Sequence, residues 1–284
     1  MFKVCHPERS RRAFQLEQGF DFAQPDNREK LETLNLKQKI KINKKEYMAE
    51  WTERAELLFT KEGLENLQKS NVLVVGLGGV GSFAAEFLAR AGVGNMTIVD
   101  GDVVDITNIN RQLPALHSTV GQPKIKIVGD RLMDINPELN LTRVQEFLSP
   151  ERAFEIVSPE FDYVLDCIDS ITPKLNLIIA AKRKRVKIIS SMGAGGKMLA
   201  SKVKVADISK TINCYFSKTI RKRLKEVKIN KLKVVFSSEI QDDKSLKLTD
   251  GKNFKKSFYG TNSYMPGLFG LHAAETVIRY LLKK

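Results

Sequence analysis

The sequence predicts an α/β fold built on a doubly wound, largely parallel sheet. Two observations carry this. Apolar runs of strand length alternate with segments of helical period from Trp51 onward. One such unit, Asn71 to Asp102, also places a glycine cluster between its first strand and its helix. Within it, Val72 to Val75 is a short apolar run, and Gly76, Gly78, Gly79 and Gly81 follow at once. Ser82 to Ala91 has helical period, with Phe83, Phe87 and Leu88 apolar and Glu86 and Arg90 polar. A second run, Met96 to Val99, ends on Asp100, with Asp102 just beyond. Strand, glycine turn, helix, strand and acid form a nucleotide-binding unit of Rossmann type. The glycines let backbone N–H groups approach a phosphate at a helix N-terminus. Asp100 stands where an acid accepts ribose hydroxyls. This unit alone does not settle which nucleotide binds.

The remaining elements follow in order. Trp51 to Gln68 reads as a helix with Leu57, Leu58, Leu64 and Leu67 on one side. Asp105 to His117 is a polar loop. Pro123 to Ile135 is a helix opened by its proline. Leu139 to Val144 is a strand and Pro150 to Val157 a short helix. Tyr163 to Leu165 is a buried strand leading into Asp166-Cys167-Ile168-Asp169. Pro173 to Arg185 is a helix and Val186 to Ser191 a strand. Residues 197–233 then hold 12 Lys/Arg against 2 Asp/Glu, so residues 197–260 are expected to form a basic extension. Within it Asn213 to Lys225 reads as a basic amphipathic helix, Lys233 to Phe236 as a strand and Gln241 to Lys256 as a charged loop. Pro266 to Leu282 is a closing helix.

Composition narrows the class. A net charge of +14 favours contact with a polyanion. The three cysteines, Cys5, Cys167 and Cys214, are widely spaced. They make no CxxC pair, which argues against a disulfide framework or zinc ribbon and fits a reducing cytoplasm. No run of about 18 uncharged apolar residues suggests a membrane span.

Two clusters point to chemistry beyond nucleotide binding. Thr107-Asn108-Ile109-Asn110-Arg111-Gln112 follows the second strand, with Lys124 close behind. Such loops lie at the carboxyl edge of an open sheet, where ligands bind. Arg111 and Lys124 would bring two cations to a phosphate, with Asn110 as a neutral donor. A triphosphate attacked at phosphorus needs such charge, whereas an intact dinucleotide does not. Two solvated surface cations would read the same way. In the second cluster, Asp166 and Asp169 could hold Mg²⁺, or Asp169 or Ser170 could cap the next helix. Cys167 reads as core, and Cys214 as incidental.

GLGGVGS, Asp100, NINRQ, GQPK and DCIDS, in this order and spacing, resemble the ubiquitin-activating-enzyme-like superfamily of adenylating enzymes. That resemblance implies ATP held by the glycines, Asp100, Asp102, Asn108 and Asn110. It gives Arg111 and Lys124 as phosphate contacts, Asp169 as a magnesium-linked catalytic acid and Arg54 as a residue reaching a partner protomer's site. It also implies a homodimer. RAELLFTKEGLENL, SMGAGGK, VADISKT and YMPGLFGLHAAETVI are similar to one branch, the tRNA threonylcarbamoyladenosine dehydratases. This branch implies a modified tRNA as substrate. It leaves open a monovalent cation and a sulfur or redox partner. The sulfur-carrier-activating branch usually carries two CxxC pairs, absent here. Some dehydratases have a cysteine where this chain has Val234, so no covalent cysteine step is expected. Lys218, Arg221, Lys222, Arg223 and Lys225 on the basic helix are the expected tRNA contacts. A nicotinamide dehydrogenase would share only the glycines and Asp100, and a non-catalytic scaffold would tolerate loss of Arg111 and Asp169.

Residues 1–47 are aperiodic, with 11 Lys/Arg and 7 Asp/Glu. CHPERSRR and FDFAQPD resemble the conceptual translation of a dispersed bacterial DNA repeat. This implies a true start at Met48, the alternative being a disordered basic tail. Removing residues 1–47 is expected to leave the thermal midpoint and ATP-dependent turnover unchanged. An insoluble or inactive shortened protein would show that the tail belongs to the working chain.

Overall fold

The strand β1 (Asn71–Val75) pairs in parallel with β2 (Asn95–Val99) on one side and β4 (Tyr163–Asp166) on the other. Beyond β2 lies β3 (Asn140–Val144), and beyond β4 lie β5 (Ile188–Ser191) and β7 (Lys233–Ser237), all parallel. The outermost strand, β6 (Val203–Asp207), runs antiparallel to β7. The order β3-β2-β1-β4-β5-β7-β6 reverses the direction of winding between β1 and β4. The computed structural model describes residues 44–248 and 257–284. Residues 1–43 of the expected tail 1–47, and residues 249–256 of the charged loop, lie outside the described residues, while residues 44–47 belong to a helix. Residues 52–284 form one compact unit.

Side-chain alternation along the buried strands makes two cores. Val72 and Val74 of β1 face one layer, and Leu73 and Val75 the other. The first layer holds Leu64 and Leu67 of α1 (Lys44–Lys69), α2 (Gly81–Arg90), α3 (Lys124–Ile135) and α7 (Met265–Leu281). The second holds α5 (Ile171–Arg183) and α6 (Tyr215–Glu226), with α4 (Pro150–Ile156) packed beside α5.

Three expectations are corrected. First, α1 breaks at Thr60 (φ 67°, ψ 162°). The break puts Leu57 and Leu58 out of phase with Leu64 and Leu67, and they are 86% and 78% exposed. Second, residues 197–248 are no appendage. They supply β6 and β7 to the sheet, and Ile220 and Leu224 of α6 to its core. The charged loop also contributes β8 (Leu246–Leu248), paired antiparallel with β9 (Ser257–Tyr259).

The third concerns Asp166, which the sequence offered both as a magnesium partner of Asp169 and as a partly structural acid. It is fully buried at the end of β4. Its Oδ2 accepts from Lys174 Nζ at 2.7 Å and Ser190 Oγ at 2.5 Å, and its Oδ1 from the Ile168 N–H. Lys174, also fully buried, donates further to the Ser191 carbonyl at 2.9 Å. Burial pushes the Asp166 carboxyl upward, against Lys174 and the other donors. This is a structural ion pair tying β4, α5 and β5 together. Removing one partner strands a buried charge, so Lys174→Met should cost about 3–5 kcal/mol in chemical denaturation. Adding Asp166→Asn should recover at least part of that loss, and a double variant no more stable than the single would contradict this account.

Candidate functional site

The loops after β1, β2 and β4 emerge together at the carboxyl edge, where the winding reverses. The glycine turn is built by steric necessity. A Cβ on Gly81 would lie 1.7 Å from the Gly76 carbonyl oxygen, and one on Gly79 would lie 3.0 Å from the Arg111 carbonyl oxygen. The turn leads into α2, whose N-terminus has Val80 at the cap and no side-chain cap. Its open N–H groups suit an anion.

Asp100 is fixed against this turn. Its Oδ2 accepts the Leu77 N–H at 2.6 Å and its Oδ1 the Asp102 N–H at 2.7 Å. Burial raises its carboxyl above the ordinary range, while these backbone donors pull it down. The lone pairs left on each oxygen can still accept hydroxyls. Lys124 is buried, with its Nζ 2.9 Å from Asp102 Oδ2. The structure therefore groups it with the acids after β2, where the sequence had paired it with Arg111.

In the next loop, Asp105 accepts from the Thr107 N–H and hydroxyl. Asn108 is buried and accepts the Asp105 N–H through its side-chain oxygen. This bond shapes the loop through the Asn108 side-chain oxygen. Asn110 is likewise committed. Its Nδ2 donates to the Thr261 carbonyl at 2.9 Å, and its Oδ1 accepts from Arg111 Nη1 at 2.8 Å. Arg111 Nη1 also donates to the Thr107 carbonyl at 2.9 Å. Burial lowers the Arg111 pKa, and the nearby Asp169 charge opposes that. Asp169 is exposed after β4. Ser170 stands at the N-cap of α5, and its side chain makes no cap bond. Arg111 and Asp169 thus meet beside the glycine turn.

Two contributors were missed from sequence. Gln112 lies over Gly78, where a Cβ would come 3.7 Å from its Nε2, and its Oε1 is buried without a hydrogen-bond partner. Its only sequence signal was adjacency to Arg111. Lys174 carried no signal, because a lysine in a helix normally reads as solvated. Cys167 is half-buried, and burial and the Asp166 charge push its thiol up to about 12, which disfavours the thiolate a nucleophile needs.

The basic helix also reaches this edge. Lys174 Nζ lies 5.8 Å from the ring centroid of Phe216, in the first turn of α6. Lys218, Lys222, Arg223 and Lys225 are exposed on α6. Arg221 differs from its expected role. Its Nη1 donates to the Ile208 carbonyl at 3.0 Å and to Thr211 Oγ1 at 2.8 Å, holding the turn before the helix. Arg54 is exposed on α1.

A glycine turn, an acid fixed against it and Arg111 near Asp169 at the switch point define an α/β protein of nucleotide-binding type. The chain belongs to the ThiF family, whose profile matches residues 52–284. It is 42% identical over 238 residues to a tRNA threonylcarbamoyladenosine dehydratase of Bacillus subtilis, covering 81% of this chain and 94% of that one. The crystal structure of the Escherichia coli tRNA N6-threonylcarbamoyladenosine dehydratase in complex with ATP has a TM-score of 0.75 at 31% identity. It covers 83% of this chain and 95% of that chain. The Escherichia coli molybdopterin-synthase adenylyltransferase is 39% identical, over 46% of this chain and 53% of its own. Among the described residues no helix is long and apolar enough to cross a membrane.

Arg111→Ala and Asp169→Ala are each expected to lower ATP-dependent turnover by about 100-fold or more. The thermal midpoint should barely change, because neither side chain packs in a core. Wild-type turnover in either variant would remove that residue from the catalytic set.

Proposed function

We propose that this chain is an ATP-dependent tRNA threonylcarbamoyladenosine dehydratase. The observation that carries this is the placement of α6 at the same sheet edge as Arg111 and Asp169, within the segment that completes the sheet. The similarity to the dehydratases runs through that segment, whereas the adenylyltransferase likeness covers less than half of the chain.

The threonyl carboxylate of the modified adenosine is a poor electrophile. Its oxygen attacks the α-phosphorus of ATP, forming an acyl-adenylate and releasing pyrophosphate. The glycine turn and the α2 N-terminus hold the phosphates, and Asp100 accepts the ribose hydroxyls. Arg111, held in place by Thr107 and Asn110, stabilises the charge that develops on the leaving phosphates. The carbamoyl group beside the activated carbonyl then attacks it, closes the ring, expels AMP and gives up a proton. Proximity drives this second step without a protein nucleophile. That fits the high Cys167 pKa and the apolar Val234.

Mg²⁺ suits the donor set in one way only. Asp166 is consumed by Lys174, and no group of three or more His, Cys, Asp or Glu could hold a metal among the described residues. Asp169 remains as the single carboxylate, and Mg²⁺ commonly binds through one carboxylate together with substrate phosphates. When bound, the ion would supply positive charge at the leaving phosphates.

The site works as a homodimer in this reading. The apolar surface of α7 is used by this chain's own core through Phe269, Ala273, Val277 and Leu281. The exposed apolar residues that suit a partner are Leu57 and Leu58, beside exposed Arg54. Mixing Arg54→Ala with Asp169→Ala protomers should restore part of the activity if Arg54 acts in trans, and light scattering should show a dimer. A strict monomer would end this part of the proposal.

The reaction is tested by incubating the protein with ATP, Mg²⁺ and threonylcarbamoyl-modified tRNA, then following the nucleoside by mass. Loss of one water is expected only with ATP present. Binding should weaken steeply with salt, each phosphate contact adding roughly 0.7–0.9 to the log–log slope. Replacing Lys218, Lys222, Arg223 and Lys225 by Ala should flatten the slope and leave the ATP KM unmoved. An unchanged slope would place the tRNA elsewhere.

A further inference from the structure

A cavity of about 290 Å³ opens at the N-terminal end of α6, outside the glycine turn and its acids. Asn213, Cys214, Tyr215, Lys218, Ile240 and Gln241 line it. Its rim is apolar and open, with Tyr215 59% and Ile240 79% exposed. Its wall carries amides, with Lys218 and Arg221 as cations and the Asp243 carboxylate beside them.

The mouth is held by specific bonds. Asn213 adopts a left-handed φ of 52°, a conformation that costs energy unless the surroundings fix it. Its Nδ2 donates to the Ser238 carbonyl at 2.9 Å. Buried Lys197 donates from Nζ to the Asn213 and Glu239 carbonyls, joining the two lips. Gln241 Nε2 donates to the Gly195 carbonyl at 3.1 Å.

These anchors follow β5 and β7, so the cavity opens at the same edge as Asp169. β7 is two strands from β4 in the sheet, or about 10 Å at ordinary strand spacing. An exposed aromatic ring, an apolar opposite lip, amide groups in the wall and a lysine alongside are what an unpaired nucleobase uses. Its face stacks, its edge meets amides and its phosphate meets the cation. We propose that this cavity receives an unpaired base of the RNA substrate, adjacent in the loop to the adenosine being modified. This deepens the proposed function and rests on it for the identity of the RNA.

The test uses the full chain and an unmodified anticodon stem-loop RNA, without ATP, read by fluorescence anisotropy. Tyr215→Ala should weaken RNA binding about fivefold or more, in line with the loss of one stacked base. Tyr215→Phe should stay within about twofold, and ATP affinity should not move in either. A loop carrying 4-thiouridine should cross-link to the peptide containing Tyr215. Wild-type RNA affinity in both Tyr215→Ala and Ile240→Ala, or a cross-link only to other segments, overturns the cavity assignment. The dehydration assay separates the two readings. If the wild type dehydrates modified tRNA and both Tyr215→Ala and Ile240→Ala keep full RNA affinity, the cavity assignment alone fails. If Tyr215→Ala loses affinity but the wild type never removes water, the base site stands and the dehydratase reading fails.

Discussion

The buried Asp166–Lys174 pair is the constraint on which the working edge depends. Both side chains are fully enclosed, and a lone charge there would be severely unfavourable. The pair is tolerated because Ser190, the Ser191 carbonyl and the Ile168 N–H complete its hydrogen bonding. Those partners come from the carboxyl ends of β4 and β5 and the start of α5. The short loop that presents Asp169 therefore runs between fixed points, and its position relative to Arg111 does not rely on surface contacts. Phe216, over Lys174, extends the same constraint to the first turn of α6.

Strand direction does the rest. Parallel strands deliver all their following loops to one edge, which gathers the glycine turn, the acids after β2 and Asp169. The one antiparallel strand of the seven-stranded sheet, β6, reverses the chain, and Lys197 then fastens the approach to α6 at Asn213 beside the residues following β7. The helix that carries the basic surface consequently starts at the edge where the nucleotide cluster lies. In the proposed function, adenylation and RNA recognition are neighbours through topology.

Charge is sorted by depth along this edge. Lys124 and Arg221 looked interchangeable with other surface cations in the sequence, yet one is buried against Asp102 and the other holds a turn. Lys218, Lys222, Arg223 and Lys225 stay exposed. Exposed cations can exchange counterions for RNA phosphates, while committed ones mainly set geometry.

The sequence by itself determined the α/β class and the nucleotide unit, while Arg111 and Asp169 were picked out there through the resemblance to the adenylating enzymes. The class and the unit follow from local rules: apolar period, glycine sterics and acid spacing act within a few tens of residues. It did not determine that Asp166 is consumed by a lysine eight residues on, that Asn108 and Asn110 support the loop, or that Leu57 and Leu58 turn outward at the Thr60 break. Nor did it reveal that the basic segment completes the sheet, or that a cavity opens beside Tyr215. Each of these depends on which distant groups share a buried space, and burial decides whether a polar side chain must find a partner or remains available to a ligand. Only the tertiary structure fixes burial, because it is set by strand order and helix packing rather than by neighbours in the chain.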